Sequence, residues 1–166
     1  MPEILPDAED LLANLARAIA PELTPDTALV GIHTGGAWIA ERLHSQLGIT
    51  QPLGVLDISF YRDDFSRIGL HPQVKPSRIP FQVEDRPLIV VDDVLYTGRT
   101  IRAAMNELFD YGRPASIRLA VLVDRGGREL PICADFAGAH LDLPADRNLQ
   151  LTRTADGRLL LSQRNS

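Results

Sequence analysis

A chain of 166 residues, 45% hydrophobic and 23% charged, is long enough to bury one core and too short to suggest several domains. Its net charge of −5 supplies no general attraction to nucleic acid or an anionic membrane, and apolar runs such as residues 119–123 fall far short of a bilayer span. The single cysteine, Cys133, excludes an internal disulfide or a cysteine-based zinc cluster and is expected to be a buried free thiol, while His33, His44, His71 and His140 show no metal-ligand spacing.

The start of the chain, Met1-Pro2-Glu3, carries neither a basic stretch nor a cleavage site, so a cytoplasmic location is expected. Leu11, Leu12, Leu15, Ala16 and Ile19 recur at helical spacing and predict a helix over 8–20, stopped by Pro21. Residues 28–32 read as a short buried strand, followed by the loop His33-Thr34-Gly35-Gly36. Trp38, Ile39, Leu43 and Leu47 then predict an amphipathic helix closed by Gly48. A second strand is expected over 55–61. From Arg62 to about Pro80 there is no periodicity, and the segment holds three prolines and Lys75, the only lysine. An irregular stretch of that length predicts a lid or binding loop.

Residues 88–91 form the next predicted strand, which runs straight into Asp92 and Asp93. After Tyr96-Thr97-Gly98-Arg99-Thr100, a helical face of Ile101, Met105, Leu108 and Phe109 is ended by Gly112 and Pro114. Residues 116–123 give another apolar strand, closing at Asp124-Arg125-Gly126-Gly127. A strand is compatible with 135–141, and segments 148–153 and 158–163 flank Ala155-Asp156-Gly157, a hairpin signal. This alternation predicts an α/β fold with a parallel sheet in a single domain over 1–166, without internal repeat or linker.

In such folds ligands bind at the carboxyl ends of strands. Three loops are predicted there: His33–Gly36, Asp92–Thr100 and Asp124–Gly127. Taken singly, Gly35-Gly36 is an ordinary turn, Asp92-Asp93 a helix cap, and Asp124 either a cap or a third acidic ligand. Together they suit a phosphorylated sugar. Adjacent carboxylates repel unless something binds them, and they accept hydrogen bonds from vicinal hydroxyls. Backbone N–H groups and threonine hydroxyls at a helix start take phosphate. The sequence has no G-x-x-x-x-G-K-[ST] loop, no G-x-G-x-x-G after a strand and no G-x-S-x-G elbow, and nothing in its placement of Ser, His and Asp suggests a triad.

Val91-Asp92-Asp93-Val94-Leu95-Tyr96-Thr97-Gly98-Arg99-Thr100-Ile101-Arg102-Ala103-Ala104 resembles the phosphoribosyl-pyrophosphate (PRPP) motif of type I phosphoribosyltransferases, and within them the PyrR family. Residues 57–64, 111–116 and 121–131 extend the resemblance, which runs from about residue 31 to 143. It implies a parallel sheet flanked by helices with a small hood from the C-terminal strands, about 132–163, and a flexible loop at about 62–80. It also implies a uracil phosphoribosyltransferase that makes UMP and pyrophosphate from uracil and PRPP. Some members also regulate pyrimidine operons by binding RNA. The alternative is therefore a nucleotide- or PRPP-sensing attenuation regulator with little catalysis.

By resemblance, Asp92 and Asp93 hold the ribose hydroxyls, Thr97, Gly98, Arg99 and Thr100 cradle the PRPP 5-phosphate, and Tyr96 is a further PRPP-binding residue. Thr34, Gly35 and Gly36 form the pyrophosphate loop. Val123, Asp124 and Arg125 meet uracil. Arg62 is the catalytic candidate in the closing loop, and Tyr61, Lys75 and Arg78 are further contacts for the leaving pyrophosphate. Mg²⁺ is implied as cofactor, held mainly through PRPP, with Asp124 the candidate protein ligand; a homodimer or higher homo-oligomer is implied as well. This chain departs from the pattern at Gly35, where many members carry arginine, and at Gly127, where RNA-binding members often have histidine. Its N-terminal helix is also largely aliphatic. Arg113, Arg118, Arg125 and Arg128 are the candidates for a basic patch in a dimer.

Overall fold

The computed structural model describes residues 4–58 and 77–165. Strand β1 (Ala28–Ile32) lies between β2 (Gly54–Leu56) and β3 (Pro87–Leu95), and β4 (Ser116–Asp124) and β5 (Phe136–His140) continue the sheet beyond β3. All these pairings are parallel, in the order β2-β1-β3-β4-β5. The chain leaves β1 on one side and returns to β3 on the other. The crevice above the carboxyl ends of β1 and β3 is therefore the topological switch point of the sheet.

Both faces of the central strands are covered, which is why they read as continuous apolar runs. On one face Leu29, Ile89, Val91, Ala120 and Leu122 meet helices α1 (Ala8–Ile19) and α2 (Gly35–Gln46). On the other, Val30, Leu88, Val90, Leu119 and Val121 meet helix α3 (Arg99–Phe109) together with Ile79, Phe81 and Val83. Asp7 caps α1 by accepting from the N–H groups of Glu9 and Asp10, at 2.7 and 3.4 Å. Pro21 does not stop the chain abruptly; Ala20–Glu22 adds one 3₁₀ turn.

The C-terminal segments form an antiparallel hairpin, β6 (Arg147–Arg153) and β7 (Leu159–Asn165), as the turn residues predict. Leu151 and Leu159 insert into the core on the α1–α2 side. Glu9 and Arg42 fasten the hairpin to both helices: Arg42 Nη2 lies 2.6 Å from Glu9 Oε1, and Glu9 Oε2 accepts from the Leu159 N–H at 2.9 Å.

Several expectations change. β3 does not end at Val91 but continues through both aspartates to Leu95, because β4 runs alongside it as far as Asp124. Gly35 and Gly36 lie in the first turn of α2 rather than in a loop. Phe109, expected on the apolar face of α3, is exposed at the end of that helix. Cys133 is exposed, because the segment after β4 runs over the surface before β5 begins.

The second strand is shorter than predicted, with residues 59–61 outside the described residues. Most of the irregular segment 62–80, with Arg62 and Lys75, also lies outside them. Its described end is anchored: Arg78 and Val55 exchange backbone hydrogen bonds at 2.8 Å.

Candidate active site

β1 pairs with β3 only as far as Gly31 opposite Val91, so Asp92–Leu95 project past β1 along the end of β4. The start of α2 fills the step this leaves. A Cβ on Gly36 would stand 2.9 Å from Asp92 Cα, and one on Gly35 would stand 2.8 Å from Asp93 Cγ. Glycine at both positions lets the positive end of α2 close onto the two aspartates. The loop before it is held by the His33 N–H, which donates to the Leu56 carbonyl at 2.9 Å, and the His33–Thr34 peptide is cis.

Asp92 is buried and Asp93 half-buried. Asp92 Oδ1 accepts from the Asp93 N–H and Asp93 Oδ1 from the Val94 N–H, each at 2.8 Å. These bonds hold the two carboxylates against the strand backbone. Beyond them the chain turns through Gly98, whose φ of +95° suits glycine, into α3. Thr97 Oγ1 accepts from the Arg99 N–H at 3.2 Å. Thr97 and Thr100 are half-buried, and Arg99 is exposed and paired with Glu129 at 3.0 Å. This is a helix N-terminus with hydroxyls beside it, a geometry that receives an oxyanion.

The third loop joins the same cluster. Val123 is fully buried between Val94 of β3 and Ala139 of β5. Asp124 receives Arg128 Nη2 on both oxygens, at 2.7 and 2.6 Å, and the Gly126 N–H at 3.1 Å. Burial works to raise the Asp124 pKa, but Arg128, the Gly126 N–H and nearby His140 together hold it below its ordinary 3.8. It is a carboxylate at neutral pH. Arg125 is buried; its guanidinium donates to the Arg147 and Pro144 carbonyls at 2.6 and 2.9 Å and stacks 3.9 Å from the Tyr96 ring centroid. Its side chain thus ties the turn that begins at Tyr96 to the start of the hairpin.

All three predicted loops therefore meet at one edge of the sheet, whereas Tyr61, Arg62 and Lys75 fall outside the described residues. The four arginines of the expected basic patch do not gather within one chain. Arg113 and Arg118 stand at the start of β4, and Arg125 and Arg128 beyond its end, roughly 20 Å or more away at about 3.3 Å per strand residue. Sequence reasoning missed two members of the cluster. Arg128 was legible only as a basic residue four positions after Asp124. His140, whose Nδ1 lies 3.7 Å from Asp124 Oδ2, arrives through the pairing of β5 with β4. Among the described residues no group of three or more His, Cys, Asp or Glu side chains is disposed to hold a metal ion.

A phosphoribosyl transferase domain model matches residues 2–147. A curated relative from Nitrosococcus oceani, named Bifunctional protein PyrR, is 59% identical over 145 residues, which cover 86% of this chain and 82% of the relative. The protein of the same name from Pseudomonas paraeruginosa is 52% identical over 155 residues, 91% of each chain. Among solved structures, a hypoxanthine-guanine phosphoribosyltransferase from Bacillus anthracis superposes with a TM-score of 0.68 at 16% identity, covering 86% of both chains. A hypoxanthine phosphoribosyltransferase from Trypanosoma cruzi gives 0.63 at 22% identity, covering 86% of this chain and 82% of its own. These structures share the fold, and the curated relatives place the sequence more closely: the chain belongs to the PyrR family of phosphoribosyltransferase-domain proteins.

Proposed function

We propose that this chain transfers the 5-phosphoribosyl group of PRPP to uracil, forming UMP and pyrophosphate. The observation that carries the reading is the meeting of Asp92 and Asp93 with two helix N-termini, that of α2 at Gly35–Gly36 and that of α3 after Gly98. Two carboxylates between two oxyanion-receiving ends match a ribose that bears a diphosphate on one side and a phosphate on the other. Uracil as the acceptor rests on the PyrR resemblance of residues 91–104 and the segments around them.

In this reading Asp92 and Asp93 accept from the ribose 2- and 3-hydroxyls, and residues 97–100 take the 5-phosphate. The C1–O bond to pyrophosphate breaks as the bond from C1 to uracil N1 forms, and the N1 proton leaves with the departing pyrophosphate. Positive charge builds on the sugar, as in glycoside hydrolysis, and the two carboxylates stabilise it. Thr34, Gly35 and Gly36 face the departing pyrophosphate, and Arg62 and Lys75 are the proposed cationic contacts for it.

Among the described residues the donor set is the carboxylate pair Asp92 and Asp93, with no group of three or more such ligands, which suits a Mg²⁺ ion that arrives on the diphosphate. Such an ion would neutralise charge on the leaving oxygens. Asp124, with both oxygens on Arg128, fits an acceptor for a base N–H better than a metal ligand.

The test is nucleotide formation from PRPP and Mg²⁺ with uracil, hypoxanthine and guanine in parallel. UMP is the expected product; purine nucleotide without UMP contradicts the choice of base. Regulation through RNA is the second reading, supported by the word bifunctional in the relatives' name. An RNA affinity that falls steeply with salt, from a protein that makes no UMP, favours it instead. A homodimer or higher homo-oligomer is proposed as the working form, to be checked by sedimentation.

A further inference from the structure

The loop that follows β4 does more than place Asp124. The Leu95 carbonyl accepts from the Arg125 N–H at 3.1 Å, the Tyr96 carbonyl from Arg128 Nη1 at 2.7 Å, and the Thr97 carbonyl from the Glu129 and Leu130 N–H groups at 2.9 and 3.1 Å. Three successive carbonyls of the turn before α3 thus face one segment, residues 125–130. A trans peptide sets each C=O opposite to the next N–H. The amides of Thr97 and Gly98 consequently point away from that segment, on the side where a phosphate would lie.

One side chain fastens this arrangement at both ends. Arg128 donates through Nη1 to Tyr96, through Nε to the Ile132 carbonyl at 2.8 Å, and through Nη2 to both oxygens of Asp124. Its side chain is 24% exposed and that of Asp124 11%. Only a planar, multi-donor head meets acceptors in three directions at once, and a lysine ammonium does not reproduce that fork.

We propose that Arg128 is a positioning residue that locks the phosphate turn and the base-end carboxylate into one rigid unit, so that both substrate halves depend on it without its touching either. The inference rests on the PRPP reading above. By contrast, the Arg99–Glu129 pair between the same segments is more than half exposed at both side chains, and is not required for the lock.

The experiment is calorimetric titration of PRPP with Mg²⁺, plus KM for PRPP and for uracil, on wild type, Arg128→Lys and Glu129→Gln, with melting temperatures alongside. Arg128→Lys is expected to weaken PRPP binding and raise both KM values by about tenfold, while Glu129→Gln stays within about twofold of wild type. Should Arg128→Lys not fold, Arg128→Gln, which keeps a planar head with fewer donors, is held to the same criterion. Unchanged PRPP affinity with a lowered melting temperature reduces Arg128 to a structural residue and overturns the proposal. So does a rise in only one of the two KM values. A wild-type protein that fails to bind PRPP overturns the underlying reading, and the inference with it.

Discussion

Asp93 and Gly35 share one small volume: a Cβ on residue 35 would sit 3.0 Å from Asp93 Cβ and 2.8 Å from its Cγ. The arginine that many family members carry at this position is therefore incompatible with the side-chain placement of Asp93 seen here. Gly35→Ala is expected to push the Asp93 carboxylate off the Val94 N–H. Because a side chain rather than backbone must give way, the cost falls on binding. PRPP affinity should drop roughly fivefold, about 1 kcal/mol, with little change in melting temperature. Titration calorimetry beside a thermal melt separates the two.

The neighbouring glycine should behave in the opposite way. A Cβ on Gly36 meets the Val91 carbonyl and Asp92 Cα, which are backbone atoms of a central strand and do not yield. Gly36→Ala is expected to destabilise the fold by about 1–3 kcal/mol. At roughly 2–4 °C per kcal/mol for a chain of this size, differential scanning calorimetry resolves that loss.

Tyr96 and Arg125 offer a test of the link between the turn before α3 and the hairpin. Tyr96→Phe keeps the ring under the guanidinium and should change stability by less than about 0.5 kcal/mol. Tyr96→Ala removes the ring from a buried cation, and about 2 kcal/mol of stability should go with it. Urea unfolding of the two variants decides the matter.

Acid should loosen the hairpin first. Arg42 holds the Glu9 pKa below its ordinary 4.5, against the opposing effect of burial, and the Leu159 N–H adds to the lowering. A carboxylate depressed in the folded state contributes stability above its unfolded pKa, and that contribution disappears as pH falls through the folded value. Glu9→Gln should therefore be less stable than wild type at pH 7, by no more than about 1 kcal/mol for a partly exposed pair. The difference should close as pH falls below the ordinary 4.5 and through the depressed folded value, read as melting temperature against pH. Asp124 is depressed in the same direction and adds to the acid sensitivity of wild type.

What the sequence revealed follows from what periodicity carries. Residues 88–91 of β3 and 116–123 of β4 were legible as apolar runs, and the Asp-Asp and Thr-Gly-Arg-Thr residues as the motif at the carboxyl edge of the sheet. The length of β3 was not, because its last turns of register depend on β4 lying alongside as far as Asp124. The exposure of Cys133 and Phe109 depends on where loops and helix ends meet solvent, which composition does not encode. Arg128 and His140 join the cluster through a folded-back loop and a strand pairing, so their partners are set by tertiary structure alone.

In the proposed reaction Asp92 and Asp93 hold the ribose of PRPP during transfer to uracil. The decisive experiment is UMP formation from uracil, PRPP and Mg²⁺ with wild type and Asp93→Asn. Wild type should form UMP, and the variant should do so at a rate at least about tenfold lower, because its amide is a weaker partner for a sugar hydroxyl and for developing positive charge. A variant as active as wild type contradicts the placement of the sugar, and a wild-type protein that binds PRPP without ever forming UMP contradicts the reaction.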